Sequence, residues 1–162
     1  MRSLKLSLVV SVSLVLAACV GTEDQMNDDT GSAKSESLTD IVWRLAAIRD
    51  PANGVQLDDG ETYTMLLQPD GRASLQLDCN RGFGQWTASS HHDGKGGEFT
   101  ISEMGVTKAM CSPTSKSDKV TADIQRFAKF TMEGENLVIS LADDSASYVW
   151  TPSSESGEAG PE

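Results

Sequence analysis

The chain has 162 residues, with 24 Asp and Glu against 13 Lys and Arg, a formal net charge of −11 and 38% hydrophobic residues. A field this acidic repels phosphate backbones and anionic headgroups, which argues against nucleic-acid binding and electrostatic membrane docking and leaves solubility or a cationic partner. The length suits one domain with a modest core.

Arg2 and Lys5 precede an apolar run from Leu6 to Ala17, which is too short for a stop-transfer helix and ends in Leu16-Ala17-Ala18-Cys19. Small residues before a cysteine at that place read as a lipoprotein signal peptide, residues 1–18, with Cys19 as lipid-attachment site and first mature residue. An ordinary secretory signal with a chance cysteine is the bland alternative. A diacylglyceryl group and an N-acyl chain such as palmitate on Cys19 suffice for stable anchoring without a transmembrane segment. Loss of the leader removes Arg2 and Lys5 and no carboxylate, leaving 11 basic and 24 acidic residues, net −13. Val20 and Gly21 follow Cys19. No aspartate stands there to signal inner-membrane retention; resemblance to Gram-negative lipoproteins implies an outer-membrane anchor facing the periplasm, and in a host with a single membrane the same motif places the protein on the outer face of that membrane.

Residues 19–39 are polar and acidic with almost no apolar side chain, a composition that cannot bury enough surface to fold. They are expected to act as a tether holding the domain about 25 Å from its anchor on average. The domain is expected over residues 40–151, and residues 152–162, rich in Ser, Glu, Gly and Pro, as a disordered tail.

Within the domain the apolar pattern has mostly period two. A first strand is expected over Ile41 to Ile48, with Trp43, Leu45 and Ala47 alternating. Tyr63, Met65 and Leu67 share one face of the next, and Ala73, Leu75 and Leu77 one face of a third. Pro69-Asp70-Gly71 joins these two, proline presetting φ and glycine accepting the left-handed position. Short strands follow around Trp86 (Gly84 to Ala88) and around Phe99 and Ile101 (Glu98 to Ser102). Ser89 to Gly97, containing His91-His92-Asp93-Gly94, reads as an exposed hairpin loop, with Gly94-Lys95-Gly96-Gly97 as turn material. Val120, Ile124 and Phe127 fall on one helical face behind Pro113 and a capping-box-like Ser115 and Asp118, which predicts the single helix. Phe130 and Met132 lead through Glu133-Gly134-Glu135-Asn136 to Leu137, Ile139 and Leu141. Asp143-Asp144-Ser145 then turns the chain into a last strand with Tyr148 and Trp150. About seven strands and one helix predict a mainly β fold, an antiparallel sheet curled into a small barrel with the helix packed against it. A flat α+β sandwich is the other arrangement.

With Cys19 committed to lipid, Cys79 and Cys111 remain as a pair in an exported chain, and a disulfide is the default reading. Closing a loop of this length stabilises by about 3–4 kcal/mol in the chain-entropy model.

Asp78-Cys79-Asn80-Arg81-Gly82-Phe83-Gly84, followed by Met104-Gly105-Val106-Thr107-Lys108-Ala109-Met110-Cys111, resembles the META domain of HslJ-like heat-shock lipoproteins. The resemblance runs from about Ile41 to Trp150 and includes the opening Trp43-x-Leu45 and Asp70-Gly71-Arg72. It implies a mainly β fold with one helix, a bacterial lipoprotein setting, and links to stress, novobiocin tolerance and motility or secretion. It carries no firmly attached catalytic activity. Asn80 and Gly84 read as turn and bulge residues. Arg81 reads as a cap for a carboxylate or carbonyl cluster. Asn80 and Arg81 are also the candidate ligand contacts, against a structural role beside the disulfide.

Cys79, Cys111, His91 and His92 total four potential zinc ligands, but structural zinc sites bring ligands in close pairs and adjacent histidines on an extended loop point oppositely. No metal or cofactor is expected. A cysteine nucleophile with a histidine base is disfavoured by the cysteine pairing. The acidic pairs Asp58-Asp59 and Asp143-Asp144 match no calcium loop, and no phosphate-cradling glycine loop is present. The expectation is a non-enzymatic, lipid-anchored envelope lipoprotein with a monomeric domain that binds an envelope protein or peptide, or buffers stress, through exposed β-edges or loops. The other reading is a small-molecule-binding barrel with Trp43, Trp86, Phe99 and Trp150 lining a cavity.

Overall fold

The computed structural model describes residues 38–51, 57, 62–91 and 95–153. Cys19, the leader, most of the expected tether, the tail from residue 154, Asp58-Asp59 and His92 lie outside the described residues.

Eight antiparallel strands form a closed barrel in simple sequence order, with the last returning to the first. They are β1 (Val42–Arg49), β2 (Tyr63–Leu67), β3 (Arg72–Leu77), β4 (Asn80–Ser90), β5 (Gly96–Val106), β6 (Phe127–Glu133), β7 (Asn136–Leu141) and β8 (Ser147–Pro152), with helix α1 (Ser117–Ile124) between β5 and β6. Closure excludes the flat sandwich.

Alternation sets which face turns inward. Tyr63, Met65 and Leu67 of β2 and Ala73, Leu75 and Leu77 of β3 are buried, with half-buried or exposed residues between them. Their turn forms as the sequence predicts: the Gly71 amide donates to Gln68 O at 3.0 Å, and Gly71 takes φ +86°, which an L side chain rarely adopts.

Several local expectations are corrected. Packing begins at Leu38, which the composition assigns to the tether; it is fully buried, and its carbonyl accepts the Trp43 indole N–H at 3.0 Å. In β1 a bulge between Leu45 and Ala47 shifts the alternation, so Ile48 is buried where Ala47 was expected to be. Strands β4 and β5 are each eleven residues long, far beyond their apolar cores around Trp86 and Phe99. Gly96 and Gly97 are buried strand residues rather than turn material. A Cβ on Gly97 would lie 1.6 Å from Ser89 O, so only glycine lets β5 approach β4 this closely. Of the expected loop, Ser89, Ser90, Gly96 and Gly97 thus belong to strands and His91 is exposed, while residues 92–94 lie outside the described residues.

Helix α1 ends at Ile124, and Phe127 belongs to β6. Its face therefore holds Val120 and Ile124, both fully buried. Ser115 Oγ accepts the Ser117 amide at 3.2 Å, but Lys116 occupies the N-cap and no side chain closes the expected capping box with Asp118.

Trp43, Trp150, Tyr63, Tyr148, Phe99 and Phe130 are each less than 2% exposed and fill the barrel. The Phe99 ring stands 6.2 Å from Trp86, 6.3 Å from Phe127 and 6.4 Å from Phe130. An eight-stranded barrel is just wide enough for side chains to fill. Each large apolar side chain buried this way contributes about 1.5–3 kcal/mol.

Candidate functional site

The disulfide corner lies where β3 turns into β4. Asp78 holds φ +58°, its amide donates to Thr62 O at 2.7 Å, and Gln76 Nε2 donates to its carbonyl. Cys79 is thereby turned outward to meet Cys111, with 5.4 Å between the Cα atoms across a sequence separation of 32. Cys79 is exposed and Cys111 half-buried.

Asn80 is the first residue of β4 rather than a turn residue, and its side chain faces inward, 5% exposed. Its Oδ1 accepts the Ala109 amide at 2.8 Å and the Thr107 hydroxyl at 3.3 Å. Its Nδ2 donates to Ser117 Oγ at 3.0 Å and Cys111 Sγ at 3.2 Å. One amide thus satisfies the returning loop, the disulfide and the start of α1 together, leaving it committed inside the protein. Arg81 differs. Its backbone exchanges bonds with Thr107, and its exposed guanidinium has no partner among the described residues, so it caps no carboxylate cluster there.

Oxygen and sulfur atoms of Asp78, Cys79 and Cys111 lie within 4.8 Å of one another. Both sulfurs are bonded to each other, so neither is a thiolate ligand or nucleophile in this state. His91 follows the far end of the eleven-residue β4 that starts beside Cys79, so the histidine and cysteines are not brought together.

Gly84 sits at a bulge, as its sequence position suggests: Phe83 pairs with Gly105 and Gln85 with Ser102, so Glu103 and Met104 together face Gly84. This bulge shapes an open groove of about 430 Å³ on the outer face of β3, β4 and β5, lined by Arg72, Ser74, Phe83, Gln85, Glu103 and Gly105 among others. Phe83 is 57% exposed within it. Beyond Gly96–Glu98, where it pairs with β6, β5 is bonded on the β4 side alone among the described residues. Its free edge carries exposed Thr100, Ser102 and Glu103.

A second polar cluster fastens α1 across the barrel end. The Asp123 carboxylate accepts from Tyr148 Oη at 2.5 Å, Lys119 Nζ at 2.8 Å and Arg126 Nη1 at 3.1 Å. Arg126 also reaches Asp143 at 2.5 Å. Burial works to raise the Asp123 carboxyl, but the hydrogen bonds from Lys119 and Tyr148 and the Lys119 and Arg126 charges outweigh it and hold the group below its ordinary range. Burial, reinforced by the Asp123 carboxylate, pushes the Tyr148 phenol well up. The Tyr63 hydroxyl, at the other end of the helix approach, accepts the Lys116 amide at 2.9 Å. No local motif announces these pairings, because the partners are 25 and 53 residues apart.

Among the described residues, the chain forms an eight-stranded barrel with buried aromatics inside, one short helix packed on its core and a disulfide at a strand turn. The META domain model matches residues 36–153, and the chain belongs to the META domain family. Among solved structures it is similar to the NMR structure of a protein from Burkholderia xenovorans, with TM-score 0.55 and 19% identity, over 92% of this chain and all of that one. It is also similar to the crystal structure of a DUF4847 family protein from Bacteroides vulgatus, with TM-score 0.53 and 11% identity, over 75% of this chain and 98% of that one. At these identities the likeness is one of fold. No curated protein matches.

Proposed function

We propose that this META domain protein is a non-enzymatic, lipid-anchored envelope lipoprotein that offers the outer face of β3, β4 and β5 to a protein or peptide partner, in an HslJ-like stress role. The anchor is Cys19 at the end of the Leu16-Ala17-Ala18-Cys19 signal, in the outer membrane and facing the periplasm. The observation that carries the docking role is Phe83, a large aromatic left 57% exposed in an open groove beside a stretch of β5 that pairs with β4 alone among the described residues. An exposed aromatic of this kind supplies an anchor, and a free edge supplies main-chain hydrogen bonds to an extended segment. The bulge and Glu103 restrain indiscriminate pairing along that edge. The interior aromatics pack against one another, which favours this reading over a ligand-holding barrel.

The test places a photo-crosslinking phenylalanine analogue at position 83 or at exposed Thr87 of the same strand in the full chain, in its own envelope. A discrete adduct from position 83 and none from position 87 is expected. Equal labelling from both, or no adduct from either, contradicts the docking role.

A further inference from the structure

The Cys79–Cys111 bond is asymmetric. Cys79 is exposed, whereas Cys111 is half-buried and its Sγ accepts an N–H from Asn80 at 3.2 Å. In thiol–disulfide exchange one sulfur is attacked and the other leaves as a thiolate; access selects the first, and stabilisation of the anion selects the second. Both criteria pick the same assignment here. Asn80 is held by Ala109 and Ser117, so its N–H stays aimed at Cys111 as charge develops there.

We propose that Cys79 is a thiol-exchange site, at which an incoming thiolate attacks the Cys79 sulfur and Cys111 departs as a thiolate stabilised by Asn80. A bond forms between the incoming sulfur and Cys79 Sγ, and the Cys79–Cys111 bond breaks with its electron pair passing to Cys111 Sγ, which later takes a proton from solvent. When the attacker carries a second thiol, that group attacks the mixed disulfide, Cys79 is released reduced, and the dithiol becomes a disulfide.

The surroundings fit such an attacker. Positions 79, 81 and 83 are all exposed, so Cys79, Arg81 and Phe83 form one outward row. Met110, fully exposed, precedes Cys111. Asp78 opposes an incoming anion, while the unpartnered Arg81 guanidinium on the same row attracts it. The exchange unfastens the covalent tie between the β3–β4 turn and the segment leading into α1, leaving that segment held by Asn80 and Tyr63.

Two sources of thiolate share this chemistry, a small thiol and a protein dithiol. The oxidised full-length protein is incubated with reduced glutathione, and separately with a Cys-x-x-Cys protein whose second cysteine is replaced by serine, then quenched with acid and N-ethylmaleimide and mapped by peptide mass spectrometry. The adduct is expected on Cys79 and the maleimide on Cys111, about tenfold over the reverse arrangement. The arm that reacts faster at equal thiolate concentration identifies the source. An adduct mainly on Cys111, an even split, or no adduct in either arm overturns the proposal. In the fully reduced protein, alkylation rates across pH give an independent reading: Cys111 is expected to become reactive at lower pH than Cys79, and the opposite order contradicts the role given to Asn80.

Discussion

Tyr148 donates its phenolic O–H to the buried carboxylate of Asp123 across 2.5 Å, fastening β8 to the helix that plugs the barrel. Lys119 and Arg126 complete the carboxylate's shell from partly exposed positions, so their charge contributes less than a fully buried pair would. Asp123→Asn keeps the shape and loses the charge, and is expected to cost about 2 kcal/mol at neutral pH. The folded carboxyl titrates below its ordinary value of 3.8, so this stabilisation is fully present above that value and disappears as pH falls through the lower folded one. Melting curves from neutral pH to about pH 2 should therefore show wild type and variant converging in acid. A gap that persists unchanged would mean the carboxylate's charge is not what holds the clasp.

The staple makes a sharper quantitative prediction. Cys79→Ser and Cys111→Ser should each destabilise by about 3–4 kcal/mol, and the double variant should match either single one, because one shared bond is lost in all three. Denaturant midpoints in the oxidised state decide this. Additive losses would mean that the two sulfurs contribute separately.

Two glycines of β5 separate close packing from tolerance. Gly97→Ala puts a methyl carbon into Ser89 O and should cost about 3 kcal/mol or more, while Gly105→Ala meets nothing within 4 Å and should leave the melting temperature nearly unchanged. Similar melting points for both variants would contradict the close approach of β4 and β5.

The proposed anchor has its own test. Cys19→Ala should release the protein from the membrane fraction or leave an unprocessed precursor, read by fractionation and intact mass. Normal processing with continued membrane fractionation would refute lipid attachment at Cys19.

The parts of the fold legible in the sequence are those where a single local signal decides. Strands β2 and β3 follow apolar alternation, β7 and β8 hold the expected Leu137, Ile139, Leu141, Tyr148 and Trp150 but also bury Val138 and Val149 between them, and the Pro69-Asp70-Gly71 turn follows from its residue chemistry. The ends of β4 and β5 were hidden because Asn80, Gly82, Gly96 and Gly97 are residues that ordinarily mark turns. They are in strands here because two long strands cross closely and one amide is needed inside. Phe127 fits a helical face by spacing, but it joins β6, where its ring packs 5.2 Å from Tyr148. At the candidate site, cysteine counting found the pair, whereas the groove around Phe83 depends on a bulge that alternation does not encode.

Whether the barrel is filled and disulfide-stapled is read from native mass spectrometry of residues 38–153, exported to an oxidising compartment and purified without metal or reductant. The expected mass is two hydrogens below that of the reduced chain, as the single Cys79–Cys111 bond requires, and nothing more. Additional mass that survives gentle ionisation would contradict it, revealing a bound ion or a ligand inside the barrel.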